Sequence, residues 1–198
     1  MPPNEDNLSA QERLALIDSM IQKAKNRFSE NGTLYLLWGW VVLFCCTFHY
    51  TMIRITHQQN WGYVWSITII AGIYQIIYLS KQKKSATVRT YTDEIINAVW
   101  VCFGFVMGIA TFIMAKLGNW SLMYSLVLLI YGIPTFLSGM IMRFKPLMIG
   151  GICCWILSML SVYVQTVEIL LFLAPAVLAA WIIPGYLLRA KYKSEHHG

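Results

Sequence analysis

Residues 95–117 carry the sequence IINAVWVCFGFVMGIATFIMAKL, in which Lys116 is the sole charged side chain. A helix needs about 20 apolar residues to cross the hydrocarbon core of a bilayer, which is roughly 30 Å thick. The stretch is long enough, and a surface helix of a soluble protein would carry a charged or polar face along its whole length. It therefore predicts a transmembrane helix.

The same pattern recurs along most of the chain. Of the 198 residues, 58% are hydrophobic and only 12% are charged, about half the charged share of an ordinary soluble domain. Short connections between long helices favour antiparallel neighbours. The sequence thus predicts an all-α membrane protein, with a six-transmembrane-helix bundle over residues 33–188. The predicted spans lie at about 34–53, 62–80, 95–117, 121–142, 146–164 and 167–188.

The basic residues indicate an orientation, because cytoplasmic loops carry an excess of Lys and Arg. With the N-terminus inside, 13 of the 15 basic residues fall on the inner side, and only Arg54 and Lys116 fall outside. An even number of spans then places the basic tail 189–198 in the cytoplasm as well. We expect anionic lipid headgroups to be the partners of these charges. The net charge of +6 is explained in this way, so no nucleic-acid partner is predicted.

Residues 1–32 form a cytoplasmic N-terminal segment. Ser9 and Glu12 have the spacing of a capping box. Apolar residues follow at intervals of three and four, at Leu14, Ile17, Ile21, Ala24 and Phe28. This spacing predicts an amphipathic interfacial helix over 9–30. The helix either anchors the first span or docks a cytoplasmic partner or a second copy of the chain.

Polar side chains in the spans are the first candidates for function, because polar groups are costly in hydrocarbon. A polar path between helices would use Gln75, Asn97, His49 and Glu168. We expect the two amides in the inner half of the bilayer and the other two toward the outer side. Three prolines interrupt their helices and free carbonyl groups, at Pro134, Pro175 and Pro184. These are features of a small carrier.

Close helix packing is the alternative interpretation of the same spans. Small residues let helix backbones approach each other in a bilayer, and amides can bond across such contacts. The third span has a stripe with helical spacing that contains Asn97, Gly104 and Gly108. The fifth span has small residues at Gly150, Cys154 and Ser158. The sequence leaves packing and a polar path both open.

Enzymatic and metal chemistry find little support. All five cysteines fall within spans, and the two vicinal pairs are Cys45–Cys46 and Cys153–Cys154. Adjacent residues on a helix diverge by about 100°, so neither pair can chelate a metal well. Nucleophile-elbow, HExxH, Walker and GxGxxG motifs are absent from the sequence. We therefore predict no catalytic residue, no metal site and no cofactor, and an enzyme is disfavoured.

Two segments carry a resemblance. The first is Ala24-Lys25-Asn26-Arg27-Phe28 with Glu30-Asn31-Gly32 and Tyr35-Leu36-Leu37-Trp38-Gly39-Trp40, and the second is Tyr131-Gly132-Ile133-Pro134 with Gly139, Phe144-Lys145-Pro146-Leu147 and Gly150-Gly151. Both resemble small six-span bacterial integral membrane proteins of unassigned function. The resemblance implies no activity and transfers no functional residue. With it, we expect the location to be the bacterial inner membrane.

Two functions follow as hypotheses. The leading one is a small permease-like transporter of a small or lipophilic solute, based on the interrupted spans and the polar residues. The alternative is a membrane-embedded regulatory or assembly subunit that acts through protein–protein contacts. A homo-oligomer is compatible with either hypothesis.

Overall fold

The computed structural model describes residues 32–58, 60–85, 91–118, 120–164 and 166–197, and these residues form helices and short connections without a strand. The predicted N-terminal helix over 9–30 lies outside the described residues. The elements are α1 (Thr33–Thr56), a 3-10 helix (Asn60–Ser66), α2 (Ile67–Ser85), α3 (Tyr91–Leu117), α4 (Trp120–Ile141), α5 (Lys145–Ser161), α6 (Thr166–Val177), a π-helical turn (Leu178–Ile182) and α7 (Ile183–His197).

Among the residues described, five helices are long and apolar enough to cross a membrane: Thr33–Thr56, Trp61–Lys81, Glu94–Leu117, Leu122–Ile141 and Val167–Ser194. The fifth predicted span corresponds to α5, an apolar helix of 17 residues. At 1.5 Å per residue α5 rises about 25 Å, slightly less than the thickness of a hydrocarbon core. The protein is therefore an all-helical, multi-pass membrane protein in its described part.

The continuous helix formed by α6, the π-helical turn and α7, here called the C-terminal helix, runs antiparallel to α1. Gly39 of α1 faces Ile182, and a Cβ on that glycine would lie 2.6 Å from the Ile182 side chain. At the end of α1, Arg54 pairs with Glu168 at the start of α6. The two helices thus contact each other along their whole length.

Helices α4 and α5 form a tight antiparallel hairpin. Near the turn, a Cβ on Gly139 would lie 2.7 Å from the Met148 nitrogen. Arg143 takes a left-handed conformation with φ 51°, and the Phe144 N–H donates to the Gly139 carbonyl over 2.8 Å. This arrangement is a Schellman motif, which satisfies the last carbonyls of α4 and reverses the chain. Farther from the turn, the Trp155 indole N–H donates to the Leu129 carbonyl over 3.2 Å.

Five aromatic rings form the centre of the core and attach α3 to the bundle. Trp100 lies 5.6 Å from Tyr35 of α1 and 6.2 Å from Trp181 of the π-helical turn, measured between ring centroids. Tyr131 of α4 lies 4.6 Å from Trp181 and 5.6 Å from Phe103. Aromatic pairs at these separations stabilise the contact beyond simple burial. One cluster therefore joins α1, α3, α4 and the C-terminal helix.

Helices α2 and α3 lie at the periphery. Among the described residues, α2 packs on α1 and the 3-10 helix, and it does not pack against α3. Both helices present large apolar side chains outward, such as Ile70 (67% exposed) and Phe105 (70% exposed). Such surfaces suit contact with lipid chains or with another apolar helix, and they would be unfavourable in water.

Candidate functional site

His49 lies on α1 where three elements meet. Its side chain is 5% exposed. The indole N–H of Trp65, in the 3-10 helix, donates to His49 Nδ1 over 3.1 Å, and the Tyr124 hydroxyl of α4 lies 3.5 Å from the same nitrogen. Because an indole N–H can only donate, Nδ1 is the unprotonated nitrogen of a neutral imidazole. One acceptor atom thus joins α1 to the 3-10 helix and lies beside α4.

The same face of α1 also forms hydrogen bonds to α2 and to the 3-10 helix. The Trp38 indole N–H donates to the amide oxygen of Gln75 over 2.6 Å, and the Cys45 thiol lies 3.6 Å from the Val64 carbonyl oxygen. Helical geometry places Trp38, Cys45 and His49 within about 40° of one another around α1. The 3-10 helix and α2 are therefore held to α1 by a line of side-chain hydrogen bonds.

Buried side chains fill the interval between the two ends of this line. Trp38 and His49 are about 16 Å apart along the α1 axis. Between them, Val42 and Cys45 are 0% exposed and Cys46 is 1% exposed. The predicted path residues on α1 and α2 therefore belong to two separate hydrogen-bonded contacts with packed side chains between them.

Glu168 contacts the opposite charge of Arg54. The Arg54 guanidinium donates to Glu168 Oε1 over 2.7 Å, and it also lies 5.4 Å from the centre of the Tyr50 ring. The Arg54 side chain is 53% exposed, and screening weakens such surface pairs. Glu168 lies in the first turn of α6, where the helix dipole favours a carboxylate. The pair joins the end of α1 to the start of the C-terminal helix, and His49 lies five residues earlier on α1.

Asn97 lies apart from the other three residues. It is exposed on α3, a helix that does not pack against α2. Gly104 and Gly108 follow it along α3, and a Cβ on either would meet no atom within 4 Å. Within the described part of the chain, no helix therefore fulfils their predicted role in packing. A shallow apolar groove on this outward face is lined by Val101, Gly104, Phe105, Gly108 and Ile109.

The fifth-span residues Gly150, Cys154 and Ser158, predicted to pack, lie at helix contacts. A Cβ on Gly150 would lie 2.6 Å from both the Ala179 oxygen and the Ala180 Cα. Cys154 is 0% exposed. The Ser158 hydroxyl donates to the Ser125 carbonyl over 2.9 Å. Small residues and serine hydroxyls are therefore the means by which α5 packs on α4 and on the C-terminal helix.

Two of the three prolines border the π-helical turn. Pro175 lies in α6 and Pro184 follows the turn, and Pro184 has no N–H to give to the preceding turn. The turn is buried, with Trp181 2% exposed. Its indole donates to the Thr135 hydroxyl over 3.2 Å, next to Pro134 in α4. A π-helical turn frequently marks a functional site, and here it occupies the centre of the core.

Within the part of the chain that the structure describes, no group of three or more His, Cys, Asp or Glu side chains is placed to hold a metal ion. The vicinal thiols diverge, since the Cys45 thiol faces Val64 whereas the Cys46 thiol lies 3.2 Å from the Leu43 carbonyl oxygen. The five cysteines are free thiols. The arrangement offers donors and acceptors for holding helices together.

Sequence reasoning missed Trp65, Tyr124 and Arg54 as partners of the candidate residues. Arg54 had a signal, because it and Glu168 are opposite charges predicted for the same side of the membrane. Trp65 and Tyr124 had none, since the chain contains 8 Trp and 11 Tyr and their side chains are common throughout its apolar segments. No family model, curated protein or solved structure matches the chain.

Proposed function

We propose that the protein is a membrane-embedded assembly or regulatory subunit that acts through contacts between its helices and those of another chain. One observation carries the proposal: the outward face of α3 combines Asn97, Gly104 and Gly108. An amide and two glycines at helical spacing are typical of helix–helix contacts, whereas lipid-facing surfaces are composed mainly of large apolar residues. The described part of the bundle does not itself use this face.

The remaining polar residues support the same proposal. His49 Nδ1 and Gln75 Oε1 each accept a hydrogen bond from an indole N–H. Buried side chains fill the distance between the two residues. A permease needs a continuous route that a solute can enter. The polar groups of α1 and α2 therefore form hydrogen bonds that hold the helices together.

A comparison of two glycine variants tests the proposal. Gly104→Leu covers the α3 groove, and Gly72→Leu is its matched control, because a Cβ on Gly72 of α2 would likewise meet no atom within 4 Å. We expect the wild type and Gly72→Leu to be recovered from native membranes in a complex larger than one chain, and Gly104→Leu to lose it. Recovery of the wild type as a lone chain would contradict the proposal, as would a complex that survives Gly104→Leu.

A small permease is the second candidate, favoured by the π-helical turn between Pro175 and Pro184. Transporters use interrupted helices near their substrate sites. Liposomes that contain only this chain provide the test, by stopped-flow light scattering with a panel of small neutral solutes. Swelling faster than that of empty liposomes would favour the permease, and equal swelling would count against it.

We further propose six spans with both termini in the cytoplasm, and a bacterial inner-membrane location. The antiparallel course of α1 and the C-terminal helix supports an even number of crossings, because the first and last spans of an alternating chain run in opposite directions only then. The 13 basic residues assigned to the inner side support the orientation. The crossing that these six spans add to the five membrane-length helices would be α5, the partner of α4 in the hairpin.

Reporter fusions test the topology at each connection. Fusions at Gln59, Asn119 and Val164 should report the outside, and fusions at Ser85 and Arg143 should report the inside. The pair Arg143 and Val164 decides whether α5 crosses, since both would report the same side if it did not. A fully reversed pattern would overturn the orientation while leaving the number of spans unchanged.

A further inference from the structure

The environment of His49 contains two groups that compete for one nitrogen. Trp65 Nε1 is 3.1 Å from Nδ1 and can only donate. The Tyr124 hydroxyl is 3.5 Å from the same Nδ1 and can either donate or accept. In the neutral ring, Nδ1 accepts from Trp65. In the charged ring both nitrogens are donors, so Nδ1 can no longer accept and Tyr124 becomes its available acceptor.

We propose that His49 is a proton-operated latch that holds the 3-10 helix against α1 while it is neutral and releases it when it is charged. The step transfers one proton from a hydronium ion to Nδ1, so an O–H bond of hydronium breaks to leave water, an N–H bond forms at Nδ1, and the positive charge passes to the ring. Two N–H groups would then face each other across the former 3.1 Å hydrogen bond, which must open. Nδ1 turns to the Tyr124 hydroxyl, and Trp65 leaves with the 3-10 helix.

Because Trp65 belongs to the 3-10 helix, the loss of its hydrogen bond to His49 affects the attachment of that helix to α1. The 3-10 helix and α2 pack on α1 and, among the described residues, on no other helix. Two further bonds hold the 3-10 helix, from Cys45 to Val64 over 3.6 Å and from Trp61 to Thr56 over 2.8 Å. The thiol is a weak donor, so the Trp65 bond is one of the two stronger hydrogen bonds that hold this helix.

Gly62 of the 3-10 helix lies next to the edge of the His49 ring. Gly62 is exposed, and the position of a Cβ on it would lie 4.0 Å from His49 Cε1. A residue without a side chain therefore covers this edge of the imidazole.

The titratable and charged groups around the latch come from every neighbouring element. On α1 they are Cys45, Cys46, Tyr50 and Arg54, and α4 contributes Tyr124. Glu168 of α6 is bound to Arg54. The 3-10 helix places Trp65 and Gly62, which do not titrate, next to the ring. Glu168 Oε1 is thus paired with Arg54, and the switch rests on the exchange of Trp65 for Tyr124.

The test follows the Trp65 indole N–H by NMR in lipid nanodiscs, with 15N-labelled tryptophan and Trp65→Phe for assignment. Between about pH 8 and pH 4.5, an interval that covers ordinary histidine titration, we expect the hydrogen-bonded signal of Trp65 to be lost. Hydrogen exchange in residues 60–66, corrected for the intrinsic effect of pH, should rise about fivefold, as expected when one hydrogen bond is lost.

His49→Gln is the main control, because a glutamine offers an oxygen to Trp65 and an amide N–H to Tyr124 at every pH. This variant should keep the bonded Trp65 signal throughout the titration. His57→Gln, which changes an exposed histidine at the end of α1, should behave as the wild type does. A Trp65 signal that is unaffected by pH in the wild type would overturn the latch. So would an equal change in His49→Gln, or exchange in residues 60–66 that does not follow the signal.

Discussion

Replacement of Gly150 by alanine tests the contact on which the C-terminal helix depends. A Cβ at this position would lie 2.6 Å from the Ala179 oxygen and 2.6 Å from the Ala180 Cα, whereas ordinary contacts begin at 3.4 Å. Both atoms belong to the backbone of the π-helical turn, so a side-chain rotation cannot relieve the clash. The turn or α5 must move away, and Gly150→Ala should destabilise the protein by about 1–3 kcal/mol, as overpacking generally does.

The assay is thermal unfolding in detergent, followed by the fraction that stays monodisperse in size-exclusion chromatography. For a chain of this size, about 1 kcal/mol corresponds to roughly 2–4 °C in Tm, so we expect a clear decrease. Gly104→Ala is the matched control, because it has the same helix-propensity gain of up to about 1 kcal/mol and no atom within 4 Å. Equal Tm values for the two variants would refute the close contact at Gly150.

Two further predictions use pairs of similar residues. Gln75→Leu removes the acceptor of the Trp38 indole and should lower the free energy of unfolding by about 0.6–1.7 kcal/mol, the range of interhelical hydrogen bonds in membranes. Asn97→Leu, which replaces an exposed amide, should leave Tm unchanged. Equal decreases in Tm for the two variants would contradict the difference between the two amides. In detergent, a membrane-permeant maleimide should modify the exposed Cys102 rapidly and the buried Cys154 slowly, as measured by mass spectrometry of peptides; fast modification of Cys154 would contradict the packing of α5.

The positions of the helices could be predicted from the sequence because the length of an apolar segment is read along the chain. The first predicted span, 34–53, corresponds to Thr33–Thr56, and the third, 95–117, corresponds to Tyr91–Leu117. The second, 62–80, corresponds to Trp61–Lys81, within which residues 62–66 belong to a 3-10 helix and α2 begins at Ile67. Their composition is as apolar as that of α2, so hydropathy does not separate the two.

The packed face of α3 could not be predicted, for a physical reason. In water the apolar face of a helix marks the core, but in a bilayer the lipid is as apolar as the core. The stripe at Gly104 and Gly108 therefore predicts a packing face, which the described residues of this chain leave uncovered. The bundle instead packs on Trp100 and Phe103, which lie about a quarter turn away around α3. Large aromatic rings, and not small residues, attach this helix.

The polar residues illustrate a second limit of sequence reasoning, because a hydrogen bond between helices and a solute path use the same residue types. Gln75 and His49 could serve either purpose until their partners were known. Each accepts a hydrogen bond from an indole N–H, of Trp38 and of Trp65, and an indole can donate one bond but cannot accept one. Such pairs can hold α2 against α1. The chemistry of the partners, and not the polarity of the two residues, therefore favours the structural role of this helix contact.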